Sequence, residues 1–187
     1  MKNCLYVGSF NPPTTIHLKI TKDLLDLKVI DYLYFLPVNS KAKAKELVSI
    51  ESRINMLNLI KIKNQEVLNI YTFNNLGFFN YLILENIKKT YQINYLLMGS
   101  DLFLKLDTFL EYENILKNYY LIVIQRDKND LEAIISLKYS FYKNKIIIIK
   151  KEYSGSSTKS REGLASGKSL YLDDKVLDYI KKNNLYN

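Results

Sequence analysis

The chain of 187 residues holds a single cysteine, Cys4, and a single histidine, His17. A lone cysteine cannot close an internal disulfide, and no CxxC pair offers metal thiolates. With no second histidine, a built-in metal centre is not expected, and no residue is assigned as a metal ligand. Glycine and proline are scarce, at 6 and 3 residues, in a composition crowded with Lys, Asn, Ile and 16 Tyr. There are no internal repeats, no linker between two large domains, and no apolar run long enough to cross a bilayer. Met1-Lys2-Asn3 leads straight into a short apolar strand pattern followed by polar loop residues, which is no signal peptide. The expected location is the cytoplasm, with no membrane partner.

What is present is apolar and basic. Hydrophobic residues make up 48% of the chain, which suits one compact domain with a sizeable core. The expected organisation is a single domain over 1–187, with 153–187 forming a phosphate-binding turn and a small helical C-terminal end. The formal charge of +8 comes from 27 basic and 19 acidic residues. Nucleic acid and polyphosphate substrates would both favour such a surface. A nucleic-acid binder needs a continuous basic stripe with exposed aromatics. Here the polar motifs form discrete sites at strand ends, so no nucleic-acid partner is expected.

Apolar runs of strand length alternate with helical patterns. Leu5 to Val7, Tyr32 to Leu36, Tyr95 to Met98, Leu121 to Ile124 and Ile146 to Ile149 read as strands, with Val67 to Ile70 a weaker one. Several are apolar throughout, as strands covered on both faces are. Ile16, Ile20, Leu24 and Leu27 form one helical stripe, and Ile54, Leu57 and Ile60 a second. Leu76, Phe79 and Ile83 begin a third, and Asp173 to Lys182 reads as a last short helix. The pattern predicts an α/β fold: a Rossmann-like open, mostly parallel sheet with helices on both faces.

The segment Leu5-Tyr6-Val7-Gly8-Ser9-Phe10-Asn11-Pro12-Pro13-Thr14-Thr15-Ile16-His17 carries the sharpest signal. A buried strand ends at Gly8, where a missing side chain would let a ligand approach the backbone. Ser9 and Asn11 supply polar groups, Pro12 and Pro13 stiffen the turn, and Thr14 or Thr15 caps the helix beginning near Ile16. Ligands of open sheets bind beyond such strand ends, and a helix N-terminus favours phosphate. His17 cannot share the Ile16-Ile20-Leu24 stripe, so it is expected to face the crevice and donate to phosphate oxygens.

A second cradle follows the run Ile146 to Ile149, in Ser154-Gly155-Ser156-Ser157-Thr158-Lys159-Ser160-Arg161. Ser156 or Ser157 can cap a helix whose backbone N–H groups meet an anion, and Arg161 lies one turn on. Together the two cradles can hold a triphosphate. Lys41, Lys43 and Lys45 after the second strand are either a phosphate-seeking loop or a solvated one. Asp101, after Gly99, either accepts from ribose hydroxyls or caps a helix. Phe109 either belongs to the core or stacks on a flat heterocycle.

These residues resemble the nicotinate or nicotinamide mononucleotide adenylyltransferases, most closely the bacterial nicotinate enzymes, within the nucleotidylyltransferase superfamily. Gly8-Ser9-Phe10-Asn11-Pro12 with His17 is similar to the family's opening motif, and Ser156-Ser157-Thr158 with Arg161 to its Ser-Ser-Thr-x-x-Arg signature. Between them Arg53 and Met56, Tyr71-Thr72 with Leu76, Met98-Gly99-Ser100-Asp101, Thr108-Phe109 and Arg126 match further segments. Tyr171-Leu172, Val176, Tyr179-Ile180 and Leu185-Tyr186 match the bacterial C-terminal end. Thr14 stands where many bacterial members have an earlier histidine, Ile16 replaces a glycine, and Phe109 stands where tryptophan is common. Asn75 replaces a threonine, and Gly155 an isoleucine.

The resemblance implies transfer of AMP from ATP, with Mg2+, to nicotinate mononucleotide, giving deamido-NAD and pyrophosphate. Nicotinamide mononucleotide, or another acceptor such as phosphopantetheine, is the alternative. On this reading His17, Thr14, Lys43, Lys45 and Arg161 serve the triphosphate. Gly8, Ser9, Phe10, Asn11, Gly99, Asp101, Ser156, Ser157 and Thr158 bind the nucleotide, while Phe109, Arg126, Tyr71 and Thr72 bind the mononucleotide. Oligomeric state is left open, a homo-oligomer included.

Overall fold

The computed structural model describes residues 1–39, 47–73, 77, 80–125 and 129–186. Its strands are β1 (Asn3–Gly8), β2 (Tyr32–Pro37), β3 (Gln65–Val67), β4 (Tyr95–Gly99), β5 (Tyr120–Ile124) and β6 (Ile146–Ile149). They form one six-stranded sheet in the order β3-β2-β1-β4-β5-β6. Every pairing is parallel, so the expectation of a mostly parallel sheet resolves to a wholly parallel one. The chain winds outward from β1 in one direction and then, from β4, in the other. That reversal opens a crevice beyond the C-terminal ends of β1 and β4, where open α/β sheets take their ligands.

Helices cover both faces. Cys4 and Tyr6 of β1 pack with Ile20 and Leu24 of α1 (Thr15–Asp26) and Leu57 of α2 (Ile50–Leu59). Leu5, pointing the other way, packs with Ile83, Leu84 and Ile87 of α3 (Tyr81–Tyr91), Ile115 and Leu116 of α5 (Tyr112–Asn118), and Leu131 and Ile135 of α6 (Leu131–Lys138). Each such fully buried aliphatic side chain contributes about 1.5–3 kcal/mol. Cys4 is fully buried, and burial pushes its thiol far above the ordinary range, so it is a core residue and no nucleophile. The last helices are α7 (Ser157–Ala165) and α8 (Asp174–Lys182). Val176 and Ile180 of α8 dock on Met56 and Ile60 beside α2 in a separate small cluster.

Caps set the helix starts. Ser49, Asn80, Asp130, Ser156 and Asp173 each accept a backbone N–H of the first turn of α2, α3, α6, α7 and α8. Three expectations shift. Leu27 lies beyond the end of α1 and is exposed, because the helix stops at Asp26 before its stripe returns to the core. The strand expected over Val67 to Ile70 runs instead over Gln65–Val67, and Ile70 starts a 3-10 turn, Ile70–Thr72, capped by the Asn69 side chain. The third helix begins only at Tyr81, under its Asn80 cap. Leu76 and Phe79, placed in its stripe by the sequence, lie outside the described residues.

Candidate active site

A crevice of about 320 Å³ sits at the sheet's reversal point, lined by both expected motifs. Gly8, Ser9, Phe10, Thr14, Ile16 and His17 come from the β1–α1 turn, and Gly155, Ser156, Ser157, Thr158 and Arg161 from the start of α7. Gly99, Asp101 and Leu102 enter from β4 and the short helix α4 (Ser100–Phe103). The two cradles touch directly. Arg161 Nη1 donates to the Asn11 carbonyl at 2.7 Å, and the Ser157 hydroxyl donates to the Pro12 carbonyl at 2.8 Å.

His17 is held in one orientation. Thr14 is the N-cap of α1, and its backbone N–H donates to His17 Nδ1 at 3.0 Å, with the Thr14 hydroxyl 2.9 Å from the same nitrogen. An N–H can only donate, so Nδ1 is the acceptor and the proton of the neutral ring belongs to Nε2. The ring also meets Phe10 edge-on, with centroids 5.1 Å apart, and Tyr6 at 5.9 Å.

Gly8 lines the crevice, and its missing side chain also gives room to a neighbouring ring. A side chain there would meet the Phe10 ring at 3.0 Å. Phe10 itself is buried and takes a left-handed backbone at φ 46°, a strained conformation for a bulky residue. Its ring, clamped by Tyr6, Phe35 and His17, over-determines that turn. Phe10 therefore shapes the crevice with its backbone and orients His17 with its ring.

The α1 terminus offers less bare backbone than expected, because the Tyr171 carbonyl accepts the Thr15 N–H at 2.9 Å. Its donor is the His17 ring, whose Nδ1 takes up the Thr14 N–H and lies against the Thr14 hydroxyl. The α7 terminus is more open. Ser156 Oγ caps Lys159 N and Ser157 Oγ is tied to Pro12, and Thr158 lines the crevice with them at the first turn of α7. Gly155 sits at φ 120°, where any side chain would strike the Tyr171 ring.

Asp101 resolves as a crevice residue. Gly99, not Asp101, is the N-cap of α4, and Asp101 is exposed in the first turn. Phe109 is 39% exposed and lines an apolar pocket with Val7, Leu96, Leu97, Met98, Leu102, Leu106 and Ile115. That pocket shares Val7 and Leu102 with the crevice, so a flat ring there would adjoin a bound triphosphate.

Other expected residues stand elsewhere. Asn11 is buried behind the turn, with its Oδ1 accepting from Val48 N and the Tyr186 hydroxyl. Tyr71 and Thr72, in the 3-10 turn after β3, are not among the residues lining the crevice. Lys43, Lys45 and Arg126 lie outside the described residues, as does Lys41.

Sequence reasoning assigned no role to Arg53, which is fully buried. Its Nε donates to the Val48 and Ser49 carbonyls, its Nη1 to Ser9 and Val38 carbonyls, and its Nη2 to Asn39 Oδ1. Burial lowers its pKa, yet a guanidinium stays charged. None of these acceptors is a carboxylate, so a cation beneath the Ser9 turn adds positive potential to an anion site. The available signal was a cation three residues from Ile50 and four from Leu57, on the stripe that packs inward.

The donor set of the crevice (an imidazole, a guanidinium, hydroxyls and backbone N–H groups) suits phosphate. Among the described residues, no group of three or more His, Cys, Asp or Glu side chains could hold a metal ion. Among the described residues, Asp101 is the one carboxylate in the crevice lining.

Fold and crevice together define a nucleotide-handling α/β enzyme. The comparisons with known proteins narrow this. The cytidylyltransferase-like family model matches residues 5–163. The chain is 31% identical to a probable nicotinate-nucleotide adenylyltransferase of Hydrogenobaculum sp., covering 96% of this chain and 95% of that one. It is also 31% identical to the nicotinamide/nicotinic acid mononucleotide adenylyltransferase of Arabidopsis thaliana, covering 99% and 91%. Among solved structures, the nicotinic acid mononucleotide adenylyltransferase of Plasmodium falciparum complexed with NaAD matches with a TM-score of 0.78 at 24% identity, covering 100% and 98%, a likeness of fold. The chain belongs to the cytidylyltransferase-like family, in the branch of the nicotinate-nucleotide adenylyltransferases.

Proposed function

We propose that the protein transfers AMP from ATP to nicotinate mononucleotide, forming deamido-NAD and pyrophosphate. The observation that carries this reading is the meeting of the His17 turn and the Arg161 helix start in one crevice, with the apolar Phe109 pocket beside it. The same substrate class is named for relatives that match nearly the whole chain.

In this reaction a phosphate oxygen of the mononucleotide attacks the α-phosphorus of ATP. The bond from that phosphorus to the α,β-bridging oxygen breaks, and pyrophosphate leaves with the electron pair. A phosphate monoester is already ionised near neutral pH, so the site needs alignment and charge stabilisation rather than a strong base. His17 Nε2–H and the Arg161 guanidinium donate to the phosphate oxygens where negative charge grows. Thr158 holds the same polyphosphate, along with the first N–H groups of α7, while Thr14 fixes the His17 ring that donates to it. Asp101 accepts from the adenosine ribose, and Phe109 stacks on the pyridine. Mg2+ bound to ATP supplies further charge neutralisation.

Steady-state pyrophosphate release with ATP and each mononucleotide tests the assignment. The reading expects a kcat/KM for nicotinate mononucleotide at least tenfold above that for nicotinamide mononucleotide. Preference for nicotinamide mononucleotide would move the acceptor, and no release with either would refute the function.

A further inference from the structure

The turn that carries the phosphate donors is fastened from behind by side chains outside the crevice lining. Asn11 is the knot. Its Oδ1 accepts the Val48 N–H at 3.1 Å and the Tyr186 hydroxyl at 2.8 Å, while its carbonyl accepts Arg161 Nη1 at 2.7 Å. Asn11 is 1% exposed, so losing one of these donors is not simply made good by bulk water. One residue thus joins four stretches of chain: the β1–α1 turn, the segment before α2, the start of α7 and the segment after α8.

Tyr186 reaches Asn11 from that last segment. It packs against the Met56, Ile60, Val176 and Ile180 cluster, and Leu185 N–H donates to the Ile180 carbonyl at 3.0 Å. The backbone passes through left-handed conformations at Asn184 (φ 49°) and Tyr186 (φ 64°), strain for non-glycine residues that the packing and the Asn11 contact must hold. Burial pushes the Tyr186 hydroxyl far above the ordinary phenol range, against the pull of Arg53 and Arg161. It therefore stays protonated, a donor, through the working pH range. Packing alone would be served by phenylalanine. A hydroxyl aimed at the residue that anchors Arg161 has a further use.

We propose that Tyr186 is a positioning residue for adenylyl transfer: its hydroxyl, acting through Asn11, sets where the phosphate-binding turn holds Arg161. The inference rests on the proposed transfer reaction for its kinetic consequence, though not for its structural one. Small misplacement of a group that meets the transition state costs rate steeply.

The test compares wild type, Tyr186→Phe, Asn11→Ala and the double variant, in the full chain. Tyr186→Phe is expected to lower kcat about tenfold with KM for ATP within about twofold. In the Asn11→Ala background it should cost nothing more, since the hydroxyl has lost its acceptor. Hydrogen exchange followed by mass spectrometry should show faster exchange in Tyr186→Phe confined to residues 8–14 and 47–50. Wild-type kcat in Tyr186→Phe, or losses that multiply in the double variant, would overturn the proposal. The exchange measurement needs no substrate: unchanged exchange in the turn sinks the positioning role. A wild-type protein inactive with both mononucleotides sinks the transfer reading instead.

Discussion

Thr14 and His17 hold one another at the head of α1: the Thr14 backbone N–H donates to His17 Nδ1 at 3.0 Å and thereby assigns the imidazole its tautomer. That bond keeps His17 a donor through Nε2, and because it comes from the backbone it does not depend on the side chain at position 14. Replacing His17 by alanine is expected to lower kcat at least about a hundredfold, the usual worth of one preorganised donor to a developing oxyanion. The thermal midpoint should hold within a few degrees. Near-normal turnover would remove His17 from the chemistry.

Arg53 supports the same turn from below, and its replacement should be felt as stability first. Arg53→Met leaves the Ser9, Val38 and Val48 carbonyls without their guanidinium donor, while the exposed Ser49 carbonyl keeps the backbone N–H of residue 53. At about 1–3 kcal/mol for each buried acceptor left unsatisfied, partly relieved by relaxation, a loss of about 3 kcal/mol or more is expected. For a chain of this size that lowers the melting temperature by roughly 6–12 °C. Calorimetry checks it, and an unchanged midpoint would show that the turn does not depend on Arg53.

Phe109 separates acceptor binding from ATP binding. Phe109→Ala should raise KM for the mononucleotide by about tenfold or more, the worth of one aromatic stacking contact, and leave KM for ATP near its wild-type value. Phe109→Trp should retain acceptor binding. A change confined to the ATP constant would place the pyridine elsewhere.

Asp23 gives the fold a pH signature. Burial raises its carboxyl, but hydrogen bonds from Lys151 and the Tyr153 hydroxyl outweigh this and hold it below the ordinary carboxylate range. A depressed folded-state pKa means the stabilisation is complete above the unfolded value of ~3.9 and is lost as pH falls through the folded one. Asp23→Asn should therefore flatten the acid limb of a stability profile below about pH 5. An identical limb in wild type and variant would contradict this.

Much of this architecture was legible because strands buried on both faces leave apolar runs, as at Leu121 to Ile124, and the half-buried edge strand Ile146 to Ile149 is apolar throughout as well. The two phosphate cradles were legible because both combine a strand end, hydroxyl residues and a helix start within a dozen positions. The bonds of Arg53 to Ser9, Val38 and Asn39, and of Tyr186 to Asn11, were not, since those partners lie in other segments of the chain and no local pattern encodes such contacts. The packing of Phe10 against Gly8 was hidden for a related reason: the two meet only once the turn folds back. Leu27 continued a helical stripe on paper, yet helix α1 ended one residue too soon for it to turn inward. Asp101 was ambiguous between cap and ligand until Gly99 proved to be the cap.

The central claim is that the helix starts bearing His17 and Arg161 serve one transferring phosphate, and isotope tracing of ATP tests it most directly. With label at the α-phosphate and nicotinate mononucleotide as acceptor, the dinucleotide should carry the label. With label at the γ-phosphate, pyrophosphate should. Arg161→Ala should slow both by at least about a hundredfold. Label from the γ-position in the dinucleotide, or wild-type transfer by Arg161→Ala, would contradict the account.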